Sequence, residues 1–221
     1  MKKNVEFLRK VRLFRDMDNE KIEVMMNCLG AVERRYKKDT MIFMAGDPIS
    51  EVGIILKGTV QVIKEDMLGN RSIVAHLTEG ELFAETLACA GVLNSPVTTV
   101  AMTNCEILFI GFRRIITSCT SSCEFHSKLI ENMLNIIAQK NIVLNYKLNL
   151  LSQRTIGEKL RTYFLSEMEK TGSDKFMIPF SRNELADFLC VDRSALSREL
   201  SKLRDQGKIK FNKNEFEIMK L

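Results

Sequence analysis

Apolar side chains change their spacing several times along this chain, and each change predicts a different kind of element. From about residue 5 to residue 30 they recur at helical intervals (Val5, Leu8, Leu13, Phe14, Ile22, Met25, Met26, Leu29), with Gly30 following as a helix stop. One or two short helices are therefore expected to open the chain. From Glu33 to about Gly111 the texture becomes short β-rich runs at 41–43, 52–56, 60–63, 73–77, 98–102 and 107–110. Turn residues separate them, among them Gly46-Asp47-Pro48, Lys57-Gly58 and Leu68-Gly69-Asn70. Regularly spaced short strands with glycine turns predict an antiparallel sandwich or jelly roll. One break interrupts it: the stretch 80–90 reads as a turn running into a short helix. That helix either caps the barrel mouth or serves a function, since function concentrates in such connections.

From about Glu124 to Leu151 the helical period returns, and Ile130, Leu134, Ile137, Asn141, Leu144, Leu148 and Leu151 step by alternating fours and threes. This is a heptad seam, read either as a two-stranded dimer axis or as a helix packed on its own domain; its end just before a second domain favours the dimer. Asn141 within the seam would fix register and strand number by pairing with its symmetry mate, or else face an effector. The pattern breaks between Ser152 and Thr155, where a hinge is expected. Thr155 and Glu158 then stand at capping-box spacing at the head of a new amphipathic helix. Thr171-Gly172-Ser173-Asp174 is a turn, followed by a short strand over 176–180.

The stretch 180–200 spells two short helices. Ser181 and Glu184 make a capping box for the first, whose apolar face is Leu185, Phe188 and Leu189. Asp192 caps the second, whose buried stripe is Ala195, Leu196, Leu200 and Leu203. Arg193, Ser194, Ser197 and Arg198 are left on the opposite face. Arginine is shaped to grip guanine O6 and N7 bidentately, serines reach bases or phosphates, and small or cationic groups at an exposed helix start suit a major groove. Beyond Gln206-Gly207, the run 208–211, the turn Asn212-Lys213-Asn214 and the run 216–219 predict a β-hairpin with a positive tip, a wing. The alternative is an ordinary helical hairpin with solvated arginines.

Composition narrows the function. The 221 residues are 45% hydrophobic, ample for packed cores, and carry 33 basic and 28 acidic residues for a net charge of +5. A bulk polycation is excluded, so a nucleic-acid face has to be local. The N-terminus lacks a signal peptide's apolar core and cleavage site, and no apolar run approaches the roughly 20 residues that span a bilayer. A soluble cytoplasmic protein without membrane partners is expected. Cys28, Cys89, Cys105, Cys119, Cys123 and Cys190 are irregularly spaced and read as reduced thiols. His76 and His126 read as packed or surface residues rather than haem ligands. Nucleophile motifs, phosphate loops and His-Glu-x-x-His spacing are all missing, so neither an enzyme nor a metal site or cofactor is expected.

Sandwich, short helix, long helix and winged helix-turn-helix in this order resemble, end to end, the Crp/Fnr superfamily of transcription regulators. The most specific stretch is Leu185-Ala186-Asp187-Phe188-Leu189-Cys190-Val191-Asp192-Arg193-Ser194-Ala195-Leu196-Ser197-Arg198-Glu199-Leu200, similar to that family's recognition motif. The resemblance implies an α+β fold. A β jelly-roll sensor domain of the cyclic-nucleotide-binding kind, with N-terminal helices, would take residues 1–122, a dimerisation helix 123–152 and a winged helix-turn-helix 153–221. It places Arg193 and Arg198 on base-reading arginines, with Ser197 beside the second. Ser194 falls where the cyclic-AMP receptor has a base-reading glutamate, and Ser181 and Arg182 fall on phosphate contacts. It further implies a homodimer on double-stranded DNA with two-fold related half-sites, a small-molecule effector, and RNA polymerase as a partner. Cys190 departs from the pattern, standing where glycine is usual, so a slightly different inter-helix turn is expected.

The family's phosphate-binding cassette has a counterpart at 80–98. Glu85 aligns with the ribose-contacting glutamate of cyclic-nucleotide binders, but Ser95 and Pro96 lie on the arginine and serine that hold the cyclic phosphate. No Lys or Arg occurs between Arg71 and Arg113, leaving no local cation for a buried phosphate. Leu144 and Asn145 replace the paired hydroxyl residues that contact adenine. The expectation is an effector other than cyclic AMP, small and uncharged or weakly acidic, near Glu85, Ser95, Thr98, Asn141 and Asn145. The alternative is a redox-sensing regulator with a thiol switch or an iron-sulfur cluster, for which Cys119-x-x-x-Cys123-x-x-His126 offers no evident four-ligand set.

Overall fold

A computed structural model describes residues 5–117 and 124–220. Cys119 and Cys123 lie outside the described residues. The chain divides between Asn141 and Ile142 into two compact units, the three residues 71–73 aside.

The first unit opens with α1 (Val5–Leu8), a 3-10 turn (Arg12–Phe14) and α2 (Asn19–Leu29). Asp18 caps α2 by accepting from the Lys21 amide, and Gly30 ends it in the left-handed conformation. Ten further elements follow: β1 (Val32–Tyr36), β2 (Met41–Phe43), β3 (Glu51–Lys57), β4 (Val60–Glu65), β5 (Arg71–Leu77), β6 (Leu82–Phe83), α3 (Glu85–Cys89), β7 (Thr98–Ala101), β8 (Cys105–Gly111) and α4 (Phe112–Ile116). The strands form two four-stranded sheets, ordered β1-β8-β3-β6 and β2-β7-β4-β5. This is the expected jelly-roll sandwich.

β3 and β8 read as almost continuous apolar runs because both faces are covered. Val52, Ile54, Leu56, Leu108 and Ile110 pack under the helical layer, whereas Ile55, Ile107 and Phe109 fill the sandwich with Val60 and Phe83. Gly53 is required there, since a Cβ would stand 2.2 Å from the Phe83 ring. β1 was absent from the expected strands because Val-Glu-Arg-Arg-Tyr has no apolar alternation. Its five residues pair with β8 as a largely exposed edge, where backbone bonding alone suffices.

The long helix α5 (Glu124–Ser152) gives its first part to this unit and its last part to the second. Leu129, Met133 and Ile136 join the helical layer. Buried Asn132 donates to the carbonyls of Leu13 (3.0 Å) and Arg15 (2.9 Å), tying α5 to the opening turn.

The second unit holds α6 (Ile156–Thr171), β9 (Lys175–Met177), α7 (Arg182–Leu189), α8 (Arg193–Asp205), β10 (Ile209–Asn212) and β11 (Glu215–Ile218), with a three-stranded sheet ordered β10-β11-β9. Both expected capping boxes form, Thr155 with Glu158 and Ser181 with Glu184. β9 stops short of Phe180 because Pro179 has no amide to donate. The wing turn is shorter than expected: Asn212 pairs with Glu215, leaving Lys213-Asn214 as the loop, with Lys213 at φ 52°. Phe164, Phe176, Phe180 and Phe216 form an aromatic core beneath α7 and the wing.

Candidate nucleic-acid interface and sensor site

α8 is locked on one side and open on the other. Leu196, Leu200 and Leu203 are buried, Ala195 is half-buried, and Arg193, Ser194, Ser197 and Arg198 are exposed. Asp192 caps the helix by accepting from the Ala195 amide at 2.8 Å and the Ser194 hydroxyl at 2.5 Å. These hydrogen bonds, the Ser194 one foremost, hold the Asp192 carboxyl below the usual carboxylate range. Ser194 is thus partly committed to the cap. Arg193 and Arg198 make no ion pair among the described residues, so both guanidiniums stay available at the helix start.

Cys190 ends α7 at φ 51° and ψ 55°, the left-handed conformation glycine would supply. The turn expected to deviate therefore keeps a glycine-like backbone with a side chain in place. Two lysines hold the same helix end. Lys147, from the last turns of α5, donates to the Phe188 carbonyl and stands over the Phe188 ring. Lys159 of α6 donates to the Leu189 carbonyl at 3.1 Å. Both satisfy carbonyls that a helix leaves open at its C-terminus, the end that favours cations. Burial pulls the Lys147 ammonium down to about 7.

Ser181 caps α7 and is exposed, whereas Arg182 is half-buried. Its guanidinium lies 4.8 Å from the Phe211 ring centre and 4.9 Å from that of Phe216, with Nη1 enclosed and unpartnered. Desolvation lowers its pKa. This side chain thus braces the wing aromatics instead of standing free at the surface as a phosphate contact would.

Part of the seam stays open in the protomer, although Ile137 packs against the helical layer. Leu134, Leu144 and Leu148 are 62%, 54% and 59% exposed in the protomer, Asn141 is exposed, and Ile130, Ile137 and Leu151 are half-buried. The face of α5 that packs inward is the one bearing Leu129, Met133 and Ile136.

In the sensor domain Glu85 opens α3 and is 2% exposed. Its Oε1 lies 2.8 Å from Lys140 Nζ on α5 and accepts from the Thr86 hydroxyl at 3.0 Å, while Oε2 is buried without a partner. Lys140 also donates to the Leu82 carbonyl at 2.5 Å. The cation missing from the cassette sequence is thus supplied by a distant helix, which corrects the expectation of a site with no positive charge. Ser95 is buried and its hydroxyl donates to the Val97 carbonyl at 2.6 Å. Thr98 accepts from the Ala45 amide at 3.1 Å. Glu85, Ser95 and Thr98 therefore direct their hydrogen bonds to separate partners, and Asn141 and Asn145 lie one turn apart on α5, both exposed.

The cyclic nucleotide-binding domain family matches residues 33–119, and the Crp-like helix-turn-helix domain family matches residues 158–221. The transcriptional activator protein FnrA of Stutzerimonas stutzeri is 22% identical over 191 residues, 84% of this chain and 76% of that protein. The global nitrogen regulator of a Nostoc species is 23% identical over 195 residues, 86% of each. Among solved structures, the c-di-GMP responsive global regulator CLP of Xanthomonas campestris shares the fold with a TM-score of 0.75 at 18% identity, covering 92% of this chain and all 100% of that one.

Proposed function

Because the chain belongs to the Crp/Fnr family of transcription regulators, joining a cyclic nucleotide-binding domain to a Crp-like helix-turn-helix, we propose that it acts in the cytoplasm as a homodimer on DNA, gated by a small effector other than cyclic AMP. The observation that carries the DNA reading is the exposed row Arg193, Ser194, Ser197 and Arg198 on a helix fixed by its buried side. Two such helices, set by the α5 seam, meet half-sites about one helical turn, roughly 34 Å, apart. Arg193 and Arg198 read bases, Ser197 supports the second, and Ser181 contacts phosphate. RNA polymerase is the partner that family membership supplies. Among the described residues no helix is long and apolar enough to cross a membrane.

The effector is argued from the sensor domain. With serine at position 95 and its hydroxyl engaged by Val97, the cassette has no cation of its own for a cyclic phosphate. Lys140 and the open oxygen of Glu85 favour an effector that offers a weakly acidic group to one and a hydrogen-bond donor to the other. Such a molecule switches the dimer only through a difference in affinity between two arrangements.

Selecting the operator from random DNA and then measuring Arg198→Ala tests the first part. A loss of about 1–3 kcal/mol confined to one base pair per half-site is expected, and uniform weakening on every sequence would make Arg198 a phosphate contact instead. A thermal-shift titration with cyclic AMP, cyclic GMP and a metabolite panel tests the second, since a ligand that binds the folded state raises its stability. Stabilisation by cyclic AMP would overturn the effector assignment while leaving the DNA assignment standing.

A further inference from the structure

We propose that Cys28 is a hydroperoxide-reactive thiol with His126 as its general base. Cys28 lies in the last turn of α2 and is exposed. Its Sγ stands 3.9 Å from Nε2 of His126, near the start of α5. The imidazole is 1% exposed, and its Nδ1 has no hydrogen-bond partner. Among the described residues the Cys28 thiol is thus the one polar group this enclosed ring meets. With the ring proton on Nδ1, Nε2 accepts the S–H.

A second group adds positive charge. Arg114 of α4 donates to the Cys28 carbonyl at 3.4 Å and packs against Gly30 two residues on. An accessible sulfur beside an imidazole, on a residue whose own carbonyl holds a guanidinium, has the surroundings of a reactive cysteine rather than of an inert one. Among the other described cysteines none stands beside an imidazole, although Cys190 has the Lys147 ammonium nearby. Cys105 is buried and donates to the carbonyls of Thr59 and Thr103, Cys190 donates to the Asp187 carbonyl, and Cys89 makes no hydrogen bond among the described residues.

The sulfur attacks one oxygen of a hydroperoxide, forming S–O as O–O breaks. The thiol proton passes through Nε2 to the departing oxygen, leaving Cys28 sulfenic acid and water or an alcohol. Sulfur loses two electrons and the peroxide gains them. The new oxygen then stands between α2 and α5, where Cys28 met His126. This chemistry is independent of the DNA and effector readings.

The test treats the reduced full-length protein with limiting hydrogen peroxide in the presence of a sulfenic-acid trap and reads each cysteine by mass spectrometry. Cys28 should be trapped on the order of tenfold faster than Cys89. A solvent deuterium isotope effect should accompany it, because a proton moves through His126. His126→Gln should bring Cys28 down to the Cys89 rate. Equal rates at Cys28 and Cys89 in the unmodified protein overturn the proposal outright. A fast Cys28 with no isotope effect, or one unchanged in a folded His126→Gln, removes His126 as the base.

Discussion

Lys140 Nζ lies 2.8 Å from Oε1 of Glu85, a carboxylate that is 2% exposed and whose other oxygen meets nothing polar. A buried ion pair is weak evidence of stabilisation, but removing one partner is expensive because the other stays buried and charged. Lys140→Met should therefore lower stability by about 2–3 kcal/mol, less than the roughly 3–5 kcal/mol of a fully buried pair because Lys140 is itself one-third exposed and screened. Lys140→Met with Glu85→Gln should recover most of that loss. Denaturant unfolding of both variants provides the measurement, and a single variant as stable as the parent would show that the pair carries no net energy.

The exposed leucines of α5 make a separate prediction. Leu144 and Leu148 are more than half exposed in the protomer, so charging them disturbs no core of a single chain. In a two-stranded seam the same charges face each other across the axis in a buried position. Leu144→Glu with Leu148→Glu should yield monomers with an unchanged far-ultraviolet spectrum. Sedimentation equilibrium decides it, and a variant that remains dimeric would place the dimer interface elsewhere.

The two lysines that matter most on α5 explain why some of this molecule was legible in the sequence and some was not. The jelly roll, the long helix and the helix-turn-helix were legible because each imposes its own period or caps on neighbouring residues. β1 was not, because an edge strand needs only backbone partners and Glu33, Arg34 and Arg35 erase the alternation. Lys140 and Lys147 were missed because their partners, Glu85 and the Phe188 carbonyl, are distant in sequence. A faint signal existed: Ile136, Ile137, Val143 and Leu144 flank Lys140, and Val143, Leu144, Leu150 and Leu151 flank Lys147, at three- and four-residue spacings. A lysine with no acid one turn away is free to seek a tertiary acceptor.

Lys147 should make stability depend on pH in a defined window. Its ammonium titrates near 7 in the folded protein because burial disfavours the charge, against 10.5 for an ordinary lysine. Between these values the unfolded chain binds more protons than the folded one, so stability rises as pH increases from about 7 to 10 and is lost as pH falls back through 7. The slope is on the order of 1 kcal/mol per pH unit, reduced by the partial solvent access of the side chain. Lys147→Met should flatten this slope. Melting curves at intervals between pH 7 and 9.5 compare the two, and parallel curves would mean that Lys147 keeps its proton throughout.

Cys190 holds a left-handed backbone that side chains resist by about 1 kcal/mol or more. Glycine adopts it freely but adds entropy to the unfolded chain, which offsets part of the gain. The thiol gives up little when removed, since it is exposed and its one hydrogen bond, to the Asp187 carbonyl, is long at 3.7 Å. Cys190→Gly should therefore stabilise by about 0.5 kcal/mol, while Cys190→Val, branched at Cβ, should destabilise by about 1–2 kcal/mol. Operator affinity at saturating protein stability should be unchanged in Cys190→Gly, because α8 starts from the Asp192 cap in either case. A destabilised glycine variant would mean that the Cys190 side chain does more than fill the turn, and its proximity to Lys147 would then be the first contact to examine.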